Sequence, residues 1–88
     1  MKVDFRKSFL RDLKRVKDTA IRNRVRKVIQ SVEQAHSLEE IDGLKKLKYD
    51  DHYYRIRIGE YRVGLALEKD TLVFVRFLHR KDLYRYFP

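Results

Sequence analysis

The stretch Tyr53-Tyr-Arg-Ile-Arg-Ile-Gly-Glu-Tyr-Arg-Val-Gly64 decides the fold. Successive side chains of a strand point to opposite faces, so Tyr54, Ile56 and Ile58 share one face and Tyr53, Arg55 and Arg57 the other. Gly59-Glu60 has the Gly-X form of a two-residue type II′ hairpin loop. That loop sets Ile58 opposite Tyr61, Arg57 opposite Arg62, Ile56 opposite Val63 and Arg55 opposite Gly64. One face becomes apolar, with Tyr54, Ile56, Ile58, Tyr61 and Val63. The other carries Arg55, Arg57 and Arg62, with open space expected beside them at Gly64. Like charges directly opposite on a sheet destabilise it, by roughly 0.2–1 kcal/mol per pair. Arg57 set against Arg62 therefore points to an anion between them.

Upstream of this hairpin, Val3 and Phe5 alternate as a short strand would. Ser8 is the expected N-cap of a first helix, in which Phe9, Leu10, Leu13 and Val16 recur at helical spacing. Asp18-Thr19 interrupts the pattern and offers a second cap. Ile21, Val25, Val28, Ile29, Val32 and Ala35 then form one apolar stripe of a second helix. The break between the two implies a helical hairpin. Its polar side is almost wholly basic, with Arg11, Lys14, Arg15, Lys17, Arg22, Arg24, Arg26 and Lys27. These cations have two readings, a solvated face or a surface that tracks RNA phosphates. The segment 36–43 reads as a turn or short helix that ends at Gly43. Lys45–Tyr49 reads as a short edge strand protected by lysine, and Asp50-Asp51-His52 as a loop.

Downstream, Val63, Leu65 and Leu67 continue the apolar face. Glu68–Thr71 is a polar turn, and Leu72–Leu78 is apolar on both sides, as a central strand is. His79–Pro88 leaves that strand for a short terminal helix. The order predicts an α+β fold: an N-terminal strand, a helical hairpin packed on a small, mainly antiparallel twisted sheet, and a short C-terminal helix or tail. The second sheet face is left to the arginines and whatever the tail adds.

The 88 residues make one domain, 1–88. Without cysteine, neither disulfides nor thiolate metal sites form. No apolar run approaches the ~20 residues of a membrane span, and the start lacks the apolar core of a secretory signal. A cytoplasmic protein that does not enter membranes is expected. The formal net charge of +9 favours a polyanionic partner, nucleic acid above all. Residues 1–35 hold eleven basic and four acidic side chains and residues 55–88 hold eight and four, so the positive field belongs to the two ends of the chain.

Motif chemistry is mostly excluded. His36, His52 and His79 lie far apart without carboxylates at ligand spacing, so no metal and no cofactor is expected. There is no Gly-rich phosphate loop and no nucleophile elbow. What remains is Arg55, Arg57, Arg62, Arg80, His79, Tyr84 and Tyr86, with Lys45, Lys46 and Lys48 nearby. Arginines hold a phosphodiester bidentately and stabilise charge that builds on its oxygens. Tyrosine stacks a base or assists proton transfer. RNA supplies its own nucleophile, the 2′-hydroxyl. Duller readings stand beside these: tyrosines packed on the sheet edge, arginines paired with Glu60, Glu68 or Asp82, and His36 and His52 as plain surface residues.

Leu44-Lys-Lys-Leu-Lys48, Tyr54-Arg-Ile-Arg-Ile-Gly-x-Tyr-Arg-Val63 and His79-Arg-Lys-Asp-x-Tyr84 together resemble the RelE/ParE superfamily of bacterial and archaeal toxins. The resemblance runs the whole chain, and the hairpin segment is its most specific part. It implies the toxin of a type II toxin–antitoxin system. RelE-like members cut mRNA at the codon in the ribosomal A site: the 2′-hydroxyl attacks in line and leaves a cyclic phosphate and a 5′-hydroxyl. The implied partners are a cognate antitoxin, the ribosome and mRNA, with operator DNA bound through the antitoxin. By the same resemblance Arg62 is the strand arginine after the hairpin, and Arg80 the basic residue near the last strand's end. Tyr84 is the tail aromatic, and Arg55 and Arg57 stand where well-studied RelE toxins carry lysines. These five are the implied catalytic residues. Lys45, Lys46, Lys48, His79, Lys81 and Tyr86 are the implied RNA-binding set. Arginine does not deprotonate in proteins, so a general base must come from elsewhere, with Tyr84, His79 and Lys48 the candidates. The other family branch, ParE-like gyrase inhibitors that bind without cutting RNA, is the alternative, followed by a plain RNA-binding module.

Overall fold

Gly59 has a φ of +58° in the computed structural model, which describes residues 1–48 and 51–88. Glu60 is not among the residues with positive φ, so the turn has the II′ form. The strands it joins, β3 (Tyr53–Ile58) and β4 (Tyr61–Glu68), pair in the expected register, with Arg57 opposite Arg62 and Arg55 opposite Gly64.

The other strands build outward from this hairpin. β1 (Lys2–Phe5) runs parallel to β5 (Thr71–His79), β5 is antiparallel to β4, and β2 (Lys45–Lys46) closes the far edge. The order is β1-β5-β4-β3-β2. The edge strand expected over Lys45–Tyr49 is shorter, two residues; Tyr49 and Asp50 lie outside the described residues. α1 (Lys7–Arg15) and α2 (Thr19–Gln34) pack on one face, and α3 (Leu83–Tyr86) follows β5.

Asp18 caps α2 as expected, its carboxylate accepting from the N–H groups of Ala20 and Ile21. Val25 and Val32 of the α2 stripe are fully buried with Phe9, Ile56, Ile58, Val63, Leu65, Leu72, Phe74 and Phe77. Each such side chain contributes roughly 1.5–3 kcal/mol of burial, enough to fix which face meets the helices.

Four details differ from the sequence reading. Ser8 is not a cap: Arg6 holds that position, and the Ser8 hydroxyl donates to the Val75 carbonyl. Leu10 is not core but 46% exposed, while Asp12 is buried. β1 pairs β5 only as far as Phe74, so the rest of that edge needs other partners. Asp12 supplies one, its Oδ2 accepting from Phe77 N–H at 2.9 Å and from Arg76 Nε at 2.7 Å, with Oδ1 accepting from Arg76 Nη2 at 3.2 Å.

Third, the space at Gly64 is not open. A Cβ there would lie 2.7 Å from Cδ2 of Phe87. The arginine face is therefore partly roofed by the tail. Leu83 and Phe87 bury with Leu47 in a second, smaller core that Tyr53 and Val75 complete. Fourth, β5 slips by one residue against β4 between Gly64 and Leu65, so its alternation breaks near Val75. Leu72, Phe74 and Phe77 all reach the helix-packed core as a result.

Candidate nucleic-acid interface

Arg55, Arg57 and Arg62 occupy the sheet face turned away from the helices, as alternation requires. Arg62 is only partly exposed, and its Nη1 donates to the Gly59 carbonyl at 2.9 Å and the Tyr61 carbonyl at 2.8 Å. Two hairpin carbonyls thus orient the guanidinium without neutralising it. Burial, then Arg57, Arg55 and Arg80 in that order, lower its pKa from the usual arginine value, and Glu60 opposes them. Arginine nonetheless stays protonated at physiological pH. Among the described residues no carboxylate pairs with Arg55, Arg57 or Arg62. Glu68 instead pairs with Arg6, and Glu60 with Arg80.

Arg80 is fixed twice to the hairpin tip. Its backbone N–H donates to the Glu60 carbonyl, and its Nε to the Glu60 carboxylate at 2.6 Å. The tip also meets α2, because a Cβ on Gly59 would lie 3.2 Å from Nη1 of Arg24. Arg24, Arg62 and Arg80 therefore converge on one turn.

At the other end of the strip, Lys45, Lys46, Leu47, Lys48, Arg55 and Tyr84 line a groove of about 370 Å³. Leu47, part of the Leu44–Lys48 motif, is buried and packs with Leu83 and Phe87, so α3 is anchored beside the groove. Tyr84 is 54% exposed, its ring free for a base. Lys46 pairs with Asp51 at 3.1 Å, whose hydrogen bond and charge raise the lysine's pKa from its ordinary value.

The remaining predicted residues lie elsewhere. His79 pairs with Tyr61, whose ring stacks on buried Phe77, so it stands on the helix-packed side of the sheet. The slip in β5 puts it there: unbroken alternation from Phe74 would have turned it toward the arginines. Its Nδ1 accepts from Lys81 N–H, and Lys81 is an exposed turn residue. Tyr86 lies under the Arg76 guanidinium, 5.7 Å from the ring centroid, and is absent from the groove lining. Of the two tail tyrosines, Tyr84 is the one beside Arg55. His36 and His52 are exposed. Among the described residues no group of His, Asp or Glu could hold a metal ion, and no helix is long and apolar enough to cross a membrane.

Comparison with known proteins agrees with this architecture. The family model for the ParE toxin of the type II toxin–antitoxin system parDE matches residues 3–84. Toxin RelE3 of Methanocaldococcus jannaschii is 45% identical over 89 residues, covering 100% of both chains. The chain belongs to the RelE/ParE toxin family. It is a RelE-like toxin of the type II toxin–antitoxin class. Among solved structures, the RelB-RelE antitoxin-toxin complex from Methanococcus jannaschii superposes with a TM-score of 0.80 at 42% identity, covering 97% of this chain and 99% of the other. The RelE-RelB complex from Pyrococcus horikoshii shares the fold, with a TM-score of 0.73 at 20% identity over 93% of this chain and 97% of the other. The RelE-type α+β sheet and its short terminal helix are thus those of the family.

Proposed function

We propose that this toxin is a ribosome-dependent endoribonuclease that cuts mRNA in the A site, using the RNA 2′-hydroxyl as nucleophile. The observation that carries the reading is the cationic strip from Arg62 through Arg57 and Arg55 into the lysine groove, with Tyr84 beside it. In the reaction the 2′-oxygen attacks the adjacent phosphorus and the P–O5′ bond breaks. One proton leaves the 2′-hydroxyl and another reaches the 5′-oxygen, leaving a cyclic phosphate and a 5′-hydroxyl. Negative charge builds on the non-bridging oxygens, where preorganised donors act best, each supplying about 2.7–4 kcal/mol. Arg62, oriented by two carbonyls, fits that role. Arg55 and Arg57 bind the flanking phosphates. The arginines supply no base. Lys46, paired with Asp51, is an ammonium that supplies no base and binds phosphate by exchanging that partner. Proton transfer falls to Tyr84, Lys45 or Lys48 in the groove, Tyr84 also stacking a base.

By likeness to the RelB-RelE antitoxin-toxin complex, a cognate antitoxin neutralises this toxin. The family resemblance adds operator DNA, reached through the antitoxin. The match to a ParE family model favours a second reading, a gyrase inhibitor that acts by binding. Purified toxin added to ribosomes translating a mapped mRNA separates them. A-site cuts with cyclic phosphate ends are expected; no cuts, together with blocked supercoiling by gyrase, would replace the first reading with the second.

A further inference from the structure

A single row of paired residues crosses the sheet beneath the tail: Lys45 opposite Arg55, Arg55 opposite Gly64, and Gly64 opposite Arg76. Phe87 sits on Gly64, in the middle of that row. The two tyrosines of α3 divide its ends. Tyr84 shares the groove with Lys45 and Arg55, and Tyr86 lies against Arg76.

The irregularity in β5 prepares Arg76 for this contact. An extra residue in a strand re-aims the side chains beside it. Here Val75 turns into the small core under the tail, while Arg76 reaches α1. Buried Asp12 takes the edge of the guanidinium with both oxygens, 2.7 Å from Nε and 3.2 Å from Nη2. The Phe77 N–H donates to the same carboxylate, so Asp12 is itself held in place. A guanidinium gripped by its edge keeps its flat face for stacking. That face meets the Tyr86 ring with Cζ 5.7 Å from the centroid, inside the ~6 Å reach of a cation–π contact.

Little else holds Tyr86. It is 53% exposed, and its hydroxyl makes no hydrogen bond among the described residues. α3 has four residues, too few to be stable on its own hydrogen bonds. Its buried anchor is Phe87, and a single anchor leaves rotation about itself free. A second contact, at Arg76, stops that rotation, which would otherwise carry Tyr84 off Arg55.

We infer that Arg76 and Tyr86 are positioning residues for Tyr84: Asp12 fixes Arg76, Arg76 fixes Tyr86, and the tail is thereby locked with Tyr84 at the groove. The catalytic consequence rests on the proposed cleavage of mRNA; the lock itself does not.

Tyr86→Leu removes the ring and Tyr86→Phe keeps it, both in the full chain, with circular dichroism to establish that they fold. For Tyr86→Leu, kcat for cleavage of ribosome-bound mRNA should fall about threefold to tenfold, with KM within twofold of wild type. Tyr86→Phe should restore kcat. In a Tyr84→Ala background Tyr86→Leu should cost nothing further, because it acts only through Tyr84. A kcat loss below threefold for Tyr86→Leu, or one that Tyr86→Phe shares, overturns the inference. So does a loss that multiplies with that of Tyr84→Ala, which would make Tyr86 a direct RNA contact. Amide exchange in the RNA-free protein reads the lock without cleavage. The Phe87 N–H, which donates to the Leu83 carbonyl at 2.7 Å, should exchange at least threefold faster in Tyr86→Leu and at the wild-type rate in Tyr86→Phe, with the amides of α2 unchanged. If the wild-type chain cuts no mRNA, the proposed function fails, yet the exchange still decides the lock: Phe87 protection unchanged in Tyr86→Leu would overturn it.

Discussion

Replacing Gly64 with alanine tests how the tail is seated. An added Cβ would lie 2.7, 2.8 and 2.9 Å from Cδ2, Cγ and Cε2 of Phe87. These distances are below any real Cβ contact, so the ring has to move. Gly64 is not among the glycines with positive φ, so the backbone tolerates alanine and the cost is steric. Phe87 has little room to yield: it is 2% exposed, packed with Leu47 and Leu83, and edge-on to Tyr53 at 5.5 Å. Overpacking of this kind costs about 1–3 kcal/mol. For a domain of this size each kcal/mol lowers Tm by roughly 4–8 °C. Because Phe87 carries α3, its displacement also moves Tyr84 from the groove. Thermal melts followed by circular dichroism, and cleavage of ribosome-bound mRNA, read the two effects. Gly64→Ala/Phe87→Leu should recover part of both, the signature of coupled neighbours. A Gly64→Ala protein that melts and cuts like wild type refutes the seating of Phe87 and the placement of Tyr84 that depends on it.

Three further outcomes follow from single contacts. Asp12→Ala orphans the Arg76 guanidinium and the Phe77 N–H, and should cost about 3 kcal/mol, the lower end for breaking a buried pair, since Arg76 keeps some access to water; urea titration measures it, and Asp12→Leu/Arg76→Met should be less damaging than Asp12→Ala alone. Asp18→Ala removes the α2 cap and should cost about 1 kcal/mol in the same titration, without changing RNA cleavage. Tyr84→Phe keeps a stacking ring but no hydroxyl, so a rate loss equal to that of Tyr84→Ala assigns the residue to proton transfer, whereas a loss confined to Tyr84→Ala assigns it to stacking.

The parts of the fold legible in sequence were those set by local rules. Gly59-Glu60 determined a turn, and a two-residue turn determines the register of both strands, so the alignment of Arg57 with Arg62 followed. The α2 stripe and its Asp18 cap were equally local. What escaped depends on pairing between distant segments. Phe87 filling the space over Gly64 leaves no trace near either residue. The irregularity in β5 reversed the face of His79, and the apolar run from Leu72 to Leu78 has no alternation from which to read it. Asp12 did leave a signal: it lies three residues after Phe9 and four before Val16, on the same helical face, and Arg76 interrupts an otherwise apolar strand. A buried acid and an arginine set in an apolar strand of one small domain are expected to meet. The separation of Tyr84 from Tyr86 needed the position of α3 against Leu47, which no spacing supplies.

The proposed cleavage rests on the arginine strip stabilising the phosphate as RNA attacks itself. Single-turnover cleavage of A-site mRNA by wild type and by Arg62→Ala, with the new ends mapped, tests it most directly. Arg62 is partly exposed and its lost bonds are to turn carbonyls, so the variant should fold. Cyclic phosphate ends are expected for wild type, with a rate about 10²–10³-fold lower for the variant. A folded Arg62→Ala protein that cuts at the wild-type rate would contradict it.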